Sequence, residues 1–422
     1  MKKLKTKYLI IGGGVSGLMF ANQASSDDYI ILEKENELGG YCRTIYQDGF
    51  IWDYAGHFFH FSNPNIKKFF ELKINKDEII IKDKVTKIFF DNSVIDFPFQ
   101  TNIHQLEKNK FIDCLYDLYF KSNNTTNESS FLEMLYSRYG KSITEMFLKP
   151  YNEKLYACDL NSLDKDAMGR FFPHAELSHI IANFKKSHTE SYNSTFLYPK
   201  NGAISFINAL AENLDKNKIL LAQKVHKIDV DNKIAFTHDL IIEYEYIINS
   251  SPWPFLLEKI NSDKYSEDIK KLSYNKVLVF NLGFDKKSKF KNIHWAYFPE
   301  KNINFYRVGF YDNILDSDRL SLYVEIGYNH IDEVNVQEQL ELTLKNLKKV
   351  NIIDDHKLIS YKEIIMNPAY VHIDNNLAEN KKAIKSKLSS LGIHTIGRYG
   401  DWKYCSIEDS MLDAIHTYDK IK

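Results

Sequence analysis

Three glycines and one carboxylate near the start of the chain have the spacing of a dinucleotide-binding site. Gly12, Gly14 and Gly17 follow a short apolar run, and Glu33 closes the next apolar run. The first glycine permits a tight turn, the second lets the backbone approach a pyrophosphate, and the third lets a helix meet a strand. The helix N-terminus, with Ser16 in its first turn, would bind the phosphates, and Glu33 would accept hydrogen bonds from ribose hydroxyls.

The glycine motif does not by itself distinguish FAD from NAD. Gly40 and Arg43 stand in a Gly-Gly-x-x-Arg segment just after the acidic residue, and flavoproteins of the amine-oxidase type often carry such a segment there. We therefore predict FAD, with Gly40 and Arg43 among its contacts. The glycine-flanked loop that contains His57 and His60 could lie over the flavin ring, although a loop histidine is often only structural.

Three arginines stand among aromatic residues rather than in a run of charges: Arg170, Arg307 and Arg398. Lysines far outnumber arginines in this chain, so arginine is used sparingly. The planar guanidinium can bind a phosphate or carboxylate with two parallel hydrogen bonds, which a lysine cannot. We interpret the three as anion-binding candidates, with ordinary structural ion pairs as the alternative.

The elements that must position these residues form three parts. A strand–helix–strand pattern opens the chain, and residues 394–422 resemble its completion, with a strand, a Gly-x-x-Gly segment and a terminal helix. A stretch with helical spacing lies between, followed by alternating apolar runs. We predict an α/β protein with an FAD-binding Rossmann-like domain, a helical insert and an antiparallel β-sheet domain. The predicted boundaries are 1–93, 193–252 and 390–422 for the FAD-binding domain, 94–192 for the substrate-binding insert, and 253–389 for the sheet domain.

Composition narrows the functional class. The 422 residues exceed one ordinary core, and the formal net charge of -1 gives no reason to expect nucleic acid or an anionic surface as a partner. No apolar run approaches the roughly 20 residues of a membrane span, so no membrane insertion is expected. Four scattered cysteines without a Cys-x-x-Cys motif favour reduced thiols and a cytoplasmic location, and no metal site is predicted.

Six segments, in order along almost the whole chain, resemble the UDP-galactopyranose mutase family, and its eukaryotic-type branch more than the common bacterial one. The best of them is Gly-Arg-Tyr-Gly-x-Trp-Lys-Tyr at 397–404, and Tyr-Phe-Pro-Glu at 297–300 with Arg307 is also close. The other segments lie at 97–100, 150–156 with Arg170, 193–202 and 367–370.

The resemblance implies a flavin-dependent isomerase that interconverts the pyranose and furanose forms of a nucleotide sugar, by default UDP-galactopyranose and UDP-galactofuranose. The reduced FAD would act through a covalent flavin N5–sugar adduct, with no net redox change. It further implies a role in cell-surface polysaccharide biosynthesis, a reductant such as NAD(P)H or a reductase, and a possible homodimer.

Site roles follow from the same resemblance. Arg170 and Arg307 would bind the substrate diphosphate, and the hydroxyls of Tyr297, Tyr370 and Tyr404 would donate to it. The remaining predicted substrate contacts are Asn193 at the sugar or diphosphate, and Phe97, Gln100, Asn152 and Tyr156 around the base and ribose. The catalytic candidates are His57, Arg170, Arg307, Tyr370 and Tyr404.

On the cofactor side, the resemblance places the backbone carbonyl of His57 near the flavin N5. It places Arg398 and the start of the helix at Ser410 against the isoalloxazine, and Val225 is a further predicted contact. The predicted FAD set is therefore Gly12, Gly14, Ser16, Gly17, Glu33, Gly40, Arg43, His57, Val225, Arg398 and Ser410.

Two other functions remain open at this stage. An FAD-dependent oxidase or desaturase of the amine-oxidase or protoporphyrinogen-oxidase type would share the fold and the glycine motif, but it would need an apolar or amine-accepting pocket. A non-catalytic flavin or nucleotide-sugar sensor would bind the same ligands without turnover. The sequence does not identify the sugar or the base, because Phe97 and Tyr156 depart from the residues common in eukaryotic-type relatives.

Overall fold

A computed structural model describes residues 1–121, 128–185, 194–374 and 377–422 of the chain. Within these ranges the strands are β1 Lys2–Ile11, β2 Tyr29–Leu32, β3 Thr44–Gln47, β4 Phe50–Asp53, β5 Ile79–Asp83, β6 Thr86–Phe90, β7 Ser93–Asp96, β8 Thr195–Pro199, β9 Ile219–Leu220, β10 Lys227–Asp229, β11 Ile234–Phe236, β12 Leu240–Asn249, β13 Asn275–Phe284, β14 Trp295–Tyr297, β15 Arg307–Phe310, β16 Ser321–Asn329, β17 Leu358–Met366 and β18 Ile393–Thr395.

The α-helices are α1 Val15–Gln23, α2 Pro64–Lys73, α3 Lys108–Phe120, α4 Phe131–Ile143, α5 Lys149–Tyr156, α6 Leu177–Lys185, α7 Ile204–Ala211, α8 Trp253–Lys270, α9 Tyr311–Leu315, α10 Val336–Lys349, α11 Leu377–Ser390, α12 Gly397–Gly400 and α13 Ile407–Ile421. A π-helical turn at Thr144–Leu148 joins α4 to α5, and a 3₁₀ turn at Gly169–Phe171 follows α5.

The first sheet is built around the parallel strand β1. It lies between β12 and β2, β9 extends the sheet beyond β2, and β18 pairs with the end of β12. Successive residues of β1 point to opposite faces, so Tyr8 and Ile10 enter one core with α1, α7 and α13, whereas Leu9 and Ile11 enter another with α8 and α11. Helices thus cover both faces, as expected for a parallel sheet.

The second sheet has the order β17-β13-β16-β15-β14-β6-β7, and all of its neighbouring pairs except β14–β6 are antiparallel. Helix α10 packs on one face through Leu340 and Leu347. The opposite face carries Trp295 and Tyr323, which share a core with Trp52 of β4. This opposite face is therefore directed toward the first domain and the site described below.

Helices α3 to α6 enclose a core of their own, which includes Phe99, Phe147 and Tyr156. Tyr306 of the β14–β15 loop belongs to the same core, so the helical layer is packed on the end of the second sheet. The predicted fold class, an α/β protein with a helical insert and an antiparallel sheet, is confirmed.

One detail differs from the sequence interpretation. Strand β6, which fell within the predicted first FAD segment of residues 1–93, pairs with β14 in the second sheet, with Ile88 opposite Tyr297. This pairing joins positions more than 200 residues apart, which local periodicity does not reveal. The three-part division into domains otherwise stays a prediction.

Candidate functional site

A cavity of about 630 Å³ opens where the parallel strands β1 and β2 end, and it is lined by the last residues of both, Ile11 and Leu32. Ligands of open α/β sheets bind at this edge. Ten of the eleven residues predicted to bind the cofactor line this one cavity: Gly12, Gly14, Ser16, Glu33, Gly40, Arg43, His57, Val225, Arg398 and Ser410.

Glycine stands at each of the three positions of the motif for a different reason. Gly12 has a φ of +106° and lies against Ser250, so a side chain there would be both strained and obstructed. A Cβ on Gly17 would clash with the carbonyl of Gly12, which is the close helix–strand contact that the motif predicts. Gly14 is in extended backbone, and the nearest atom to a Cβ there would be the Cα of Gly40 at 3.9 Å. Gly14 is therefore free of a structural requirement and leaves room beside the cavity.

The start of α1 fits a pyrophosphate. Gly14 is its N-cap, and no side chain among the described residues caps the helix. The first backbone N–H groups of a helix have no partner within the helix and bind anions readily. Because these groups line a cavity of dinucleotide size, the residues present fit FAD.

Glu33 and Arg43 shape the walls of this cavity. The buried carboxylate of Glu33 accepts hydrogen bonds from the backbone N–H of Gly13 at 2.7 Å and of Glu35 at 3.0 Å. Arg43 donates from Nε to the carbonyl of Gly40 at 2.8 Å, so it fixes the Gly-Gly loop. Direct contacts of either side chain with the cofactor remain predictions.

His57 and Arg398 line the same cavity, away from the glycine motif in sequence. The ring of His57 is 3.0 Å from the carbonyl of Ala55 through Nδ1, which fits an Nδ1–H tautomer. Burial, helped by the positive charges of Arg398 and Arg307, lowers the pKa of His57 to about 4, so the imidazole is neutral at pH 7. Arg398 donates to the carbonyl of Cys405 from Nη2 at 2.6 Å, and its guanidinium lies 5.0 Å from the ring centre of Tyr404.

The C-terminal segment also contributes to the wall of this cavity. Ser410 lies in the first turns of α13 and donates to the carbonyl of Ser406 at 3.0 Å. A Cβ on Gly397 would clash with Ser16 of α1, so the first and last segments touch at the cavity. The prediction that both segments build one site thus agrees with the geometry.

A group of phenols and one arginine lies next to the cavity residue Arg398, whose guanidinium contacts the ring of Tyr404. Tyr297, Arg307 and Glu325 are register partners across β14, β15 and β16. Arg307 forms an ion pair with the buried carboxylate of Glu325. The rings of Tyr370 and Tyr404 are stacked with centres 5.9 Å apart, and both hydroxyls feel the charge of Arg307.

This cluster is suited to an anion. Burial raises the pKa of Tyr404 to about 12 and raises the pKa values of Tyr297 and Tyr370 as well, so all three phenols keep their protons at neutral pH. The Nε of Arg307 is buried and has no hydrogen-bond partner among the described residues. A buried donor without a partner is uncommon in a native protein and points to a missing acceptor.

Arg170 is placed differently from Arg307. Its Nη2 lies 2.7 and 2.9 Å from the two carboxylate oxygens of Asp409, in the first turn of α13. The adjacent ring of Phe171 contacts Tyr404 edge-on at 5.2 Å. The segment that carries Arg170 thus lies against α13, which lines the cavity, next to one of the cluster's phenols.

The predicted base and ribose contacts lie in the helical layer. Phe97 packs 5.2 Å from the ring of Tyr297. Gln100 and Asn152 are buried, and their amide nitrogens donate to the carbonyls of Pro173 and Leu148. The amide oxygens of both residues and the hydroxyl of Tyr156 have no partner among the described residues, so each could still accept or donate.

Two further predicted residues have different outcomes. Asn193 lies outside the described residues, so its role stays a prediction. His60 lines a separate, mostly apolar cavity of about 550 Å³ together with Phe59, Phe61 and Phe206. The expectation that His60 could share the flavin loop's function is therefore not supported by its position.

The sequence interpretation missed four residues of the cluster: Tyr151, Tyr323, Glu325 and Asp409. Tyr151 contacts the ring of Tyr297 at 5.0 Å, and it stood in a segment already singled out. Glu325 interrupts the apolar run of β16, and a lone carboxylate in a buried strand signals a partner of opposite charge. Tyr323 and Asp409 gave no comparable signal.

One group of described residues has the geometry of metal ligands, namely Asp354, Asp355 and His356. It lies in a surface turn outside the cavity. Both carboxylates already pair with lysines, Lys289 and Lys286, so the group is an ordinary surface ion-pair network. Among the helices that the structure describes, none combines the length and the apolar character needed to cross a membrane.

A parallel sheet with a dinucleotide cavity, completed by a second sheet and a helical layer, defines a flavoprotein with an added substrate region. Comparison with known families agrees: residues 15–358 match the family described as "flavin containing amine oxidoreductase". The chain belongs to this family and is a flavoenzyme, and its cofactor is FAD, as predicted.

Similar proteins extend this finding. The fold is that of a solved reduced UDP-galactopyranose mutase, with a TM-score of 0.93 and 22% identity over 99% of this chain and 94% of that one. The corticosteroid-binding protein of Candida albicans is 25% identical over 54% of this chain, and protoporphyrinogen oxidase 1 of Spinacia oleracea is 24% identical over 38%. The chain spans only 47% and 31% of the lengths of these two relatives.

Proposed function

We propose that the protein interconverts the pyranose and furanose forms of a nucleotide sugar, by default UDP-galactopyranose and UDP-galactofuranose, with FAD in its reduced form. The observation that carries this proposal is the position of Arg307. Its Nε is buried and has no partner among the described residues. Arg307 also lies among protonated phenols, and it is close enough to His57 of the cavity wall to help lower the pKa of that residue. Such a group of donors suits a diphosphate held next to a flavin.

The chemistry requires a dianionic leaving group to depart and return without net oxidation. When bound, reduced FAD supplies a nucleophilic nitrogen that can attack an anomeric carbon. The role of the protein's own residues is to bind and orient the nucleotide sugar. Arg307 would carry the charge of the diphosphate, and Tyr297, Tyr370 and Tyr404 would donate hydrogen bonds to its oxygens.

The other residues would divide the remaining work. Arg170 would add a second cation from the helical layer, and Gln100, Asn152 and Tyr156 would hold the base and ribose with their remaining polar atoms. Neutral His57 would leave its backbone carbonyl near the reacting centre without adding a competing positive charge. A reductant such as NAD(P)H, a homodimer and a role in cell-surface polysaccharide synthesis belong to the same proposal.

A second candidate is an FAD-dependent oxidase or desaturase. The family and the relative named protoporphyrinogen oxidase 1 favour it. Such an enzyme needs an apolar or amine-accepting pocket, whereas Arg307, Arg398 and the surrounding phenols provide a polar, anion-binding one. The mutase proposal accounts for these residues better.

The test is turnover of UDP-galactofuranose by the FAD-loaded protein, with and without dithionite, followed by chromatography of the nucleotide sugars. UDP-galactopyranose formed only under reducing conditions is the expected result. Absence of conversion by a protein whose flavin is bound and reducible would overturn the default substrate. Oxygen consumption with an amine or a tetrapyrrole would instead support the oxidase.

A further inference from the structure

We propose that Lys154 is a positioning residue that holds the hairpin carrying Tyr297 and Arg307 in place for a nucleoside diphosphate. Lys154 lies on α5, and its ammonium group reaches the turn between β14 and β15. The inference rests on the proposed function, because it assigns the diphosphate to this hairpin. No role was expected for Lys154 from the sequence.

The ammonium group of Lys154 donates hydrogen bonds to three backbone carbonyls. Its Nζ donates to the carbonyls of Phe298 at 2.7 Å and Glu300 at 3.2 Å, and also to the carbonyl of Phe305. All three carbonyls belong to the turn that begins after Tyr297. Burial lowers the pKa of Lys154 to about 7, and in its protonated form the three donors match the three carbonyls of this one loop.

Neighbouring residues of α5 touch both ends of the same turn. The ring of Tyr151 lies 5.0 Å from Tyr297 and 6.2 Å from Tyr306. A Cβ on Gly327 of β16 would clash with the carbonyl of Lys154, so the helix is packed closely on the sheet at this point. Hydrogen bonds from Lys154 therefore hold the turn to α5, and aromatic contacts of Tyr151 hold the two ends of the turn to the same helix.

The position of Lys154 links two parts of the proposed ligand. Asn152 and Tyr156, two residues to either side on α5, are predicted to contact the base and ribose. Tyr297 and Arg307, at the two ends of the turn, are predicted to contact the diphosphate. By holding the turn to the helix, Lys154 would set the distance between the nucleoside and the diphosphate contacts, which is a matter of orientation rather than of chemistry.

The chain offers a matched control on the same helix. Glu153 pairs with Lys301 of the same turn at 3.5 Å, but Lys301 is 79% exposed. Exposed pairs of this kind contribute little to stability. Glu153→Gln thus removes a charged contact between the same two elements without removing the carbonyl contacts.

The experiment measures binding of UDP and of uridine to the FAD-loaded wild type, Lys154→Met, Lys154→Arg and Glu153→Gln proteins. We expect Lys154→Met to weaken UDP binding at least 10-fold and uridine binding less than 2-fold, so that the preference for UDP falls. Lys154→Arg, which keeps the charge and the donors, should recover part of the loss, and Glu153→Gln should match wild type. Unchanged UDP binding by Lys154→Met, or equal losses for both ligands, would overturn the inference.

A second measurement tests the inference even if the Lys154→Met protein folds poorly. Hydrogen exchange of the backbone amides of residues 298–306 should be faster in Lys154→Arg than in wild type and unchanged in Glu153→Gln, and equal exchange in all three proteins would overturn the inference. A wild-type protein that binds FAD but neither UDP nor uridine would contradict the uridine nucleotide that the proposed function takes by default. By contrast, a Lys154→Met protein that binds UDP as tightly as the wild type would contradict only the inference.

Discussion

Arg307 and Glu325 lie directly opposite each other on β15 and β16, and their side chains form an ion pair. Glu325 is 1% exposed, and its Oε2, like the Nε of Arg307, has no partner among the described residues. A buried pair with free capacity on both members holds the guanidinium in one orientation. It leaves hydrogen-bonding capacity for a ligand.

Arg307→Ala should lower turnover at least about 100-fold and leave flavin content unchanged, because Arg307 is not among the residues that line the FAD cavity. Steady-state assays and the flavin absorbance measure the two effects. Arg319→Ala, which removes a half-buried arginine that lies over the ring of Phe50 and does not line the cavity, serves as the control.

Removing Arg307 alone leaves a buried carboxylate unpaired, which can destabilise a protein by about 3–5 kcal/mol. The double variant Arg307→Met/Glu325→Gln removes the pair without leaving a lone charge. If this variant is folded, retains FAD and turns over normally, the assignment of Arg307 to the diphosphate is wrong.

Asp409→Asn tests the seat of Arg170. Asparagine can still accept hydrogen bonds from Ser406 and so keep the helix cap, but it loses the charge that pairs with Arg170. We expect the KM for the nucleotide sugar to rise about 2- to 5-fold with little change in kcat, since an exposed pair contributes at most about 1 kcal/mol.

For Asp409→Asn the control is Asp419→Asn, which removes an exposed pair with Lys422 on the same helix. Because the Arg170 pair is partly exposed, the difference from wild type should shrink at high salt. A lower KM in Asp409→Asn would mean that Asp409 competes with the substrate for Arg170.

Gly14→Val should abolish FAD retention while the fold survives. Gly14 is in extended backbone, and apart from its chain neighbours the nearest described atom to its Cβ position is 3.9 Å away, so the new side chain would meet the pyrophosphate rather than the protein. Valine is a poor N-cap, and the cost to stability should be about 1 kcal/mol. Purification of this variant with full flavin occupancy would contradict the placement of the cofactor.

Acid should destabilise the protein partly through His372. Its Nε2 lies 2.9 Å from the carbonyl of Tyr156, its Nδ1 lies 2.7 Å from the hydroxyl of Ser273, and burial lowers its pKa to about 4. As the pH falls below 6.5, His372 binds a proton in the unfolded chain but stays neutral in the folded protein. The free energy of unfolding therefore falls between pH 6.5 and 4, by at most about 3 kcal/mol from this group.

Urea denaturation of wild type and His372→Gln, both loaded with FAD, at pH 7 and pH 4.5 isolates this contribution. Buried Asp53, whose pKa is raised to about 6, acts in the opposite direction in both proteins. The advantage of wild type over the variant should thus shrink by about 2 kcal/mol at the lower pH. Parallel losses in the two proteins would show that His372 does not carry this dependence.

The parts of the site that were predictable are local in sequence. The spacing of Gly12, Gly14 and Gly17 encodes a turn and a helix start, and the structure gives each glycine a place consistent with its expected role. Arg307 and Arg398 were singled out because arginine among aromatics is unusual in this lysine-rich chain.

The parts that were missed depend on contacts between distant segments. Glu325 meets Arg307 only through the register of two strands, and Asp409 meets Arg170 only because the helical layer reaches α13. Lys154 looks like any lysine on an amphipathic helix until the turn after Tyr297 is placed beside it. Periodicity reports which face of an element is buried but not which other element covers it.

The contact between the first and last segments has a consequence for biosynthesis. Helix α13 packs on α1, with Tyr418 5.7 Å from Phe20, and the FAD cavity takes residues from Gly12 through to Ser410. On the ribosome, the phosphate-binding turn is therefore made long before α13, the helix that supplies the facing wall of its pocket. The pocket for FAD is complete only once α13 has been made and has packed on α1.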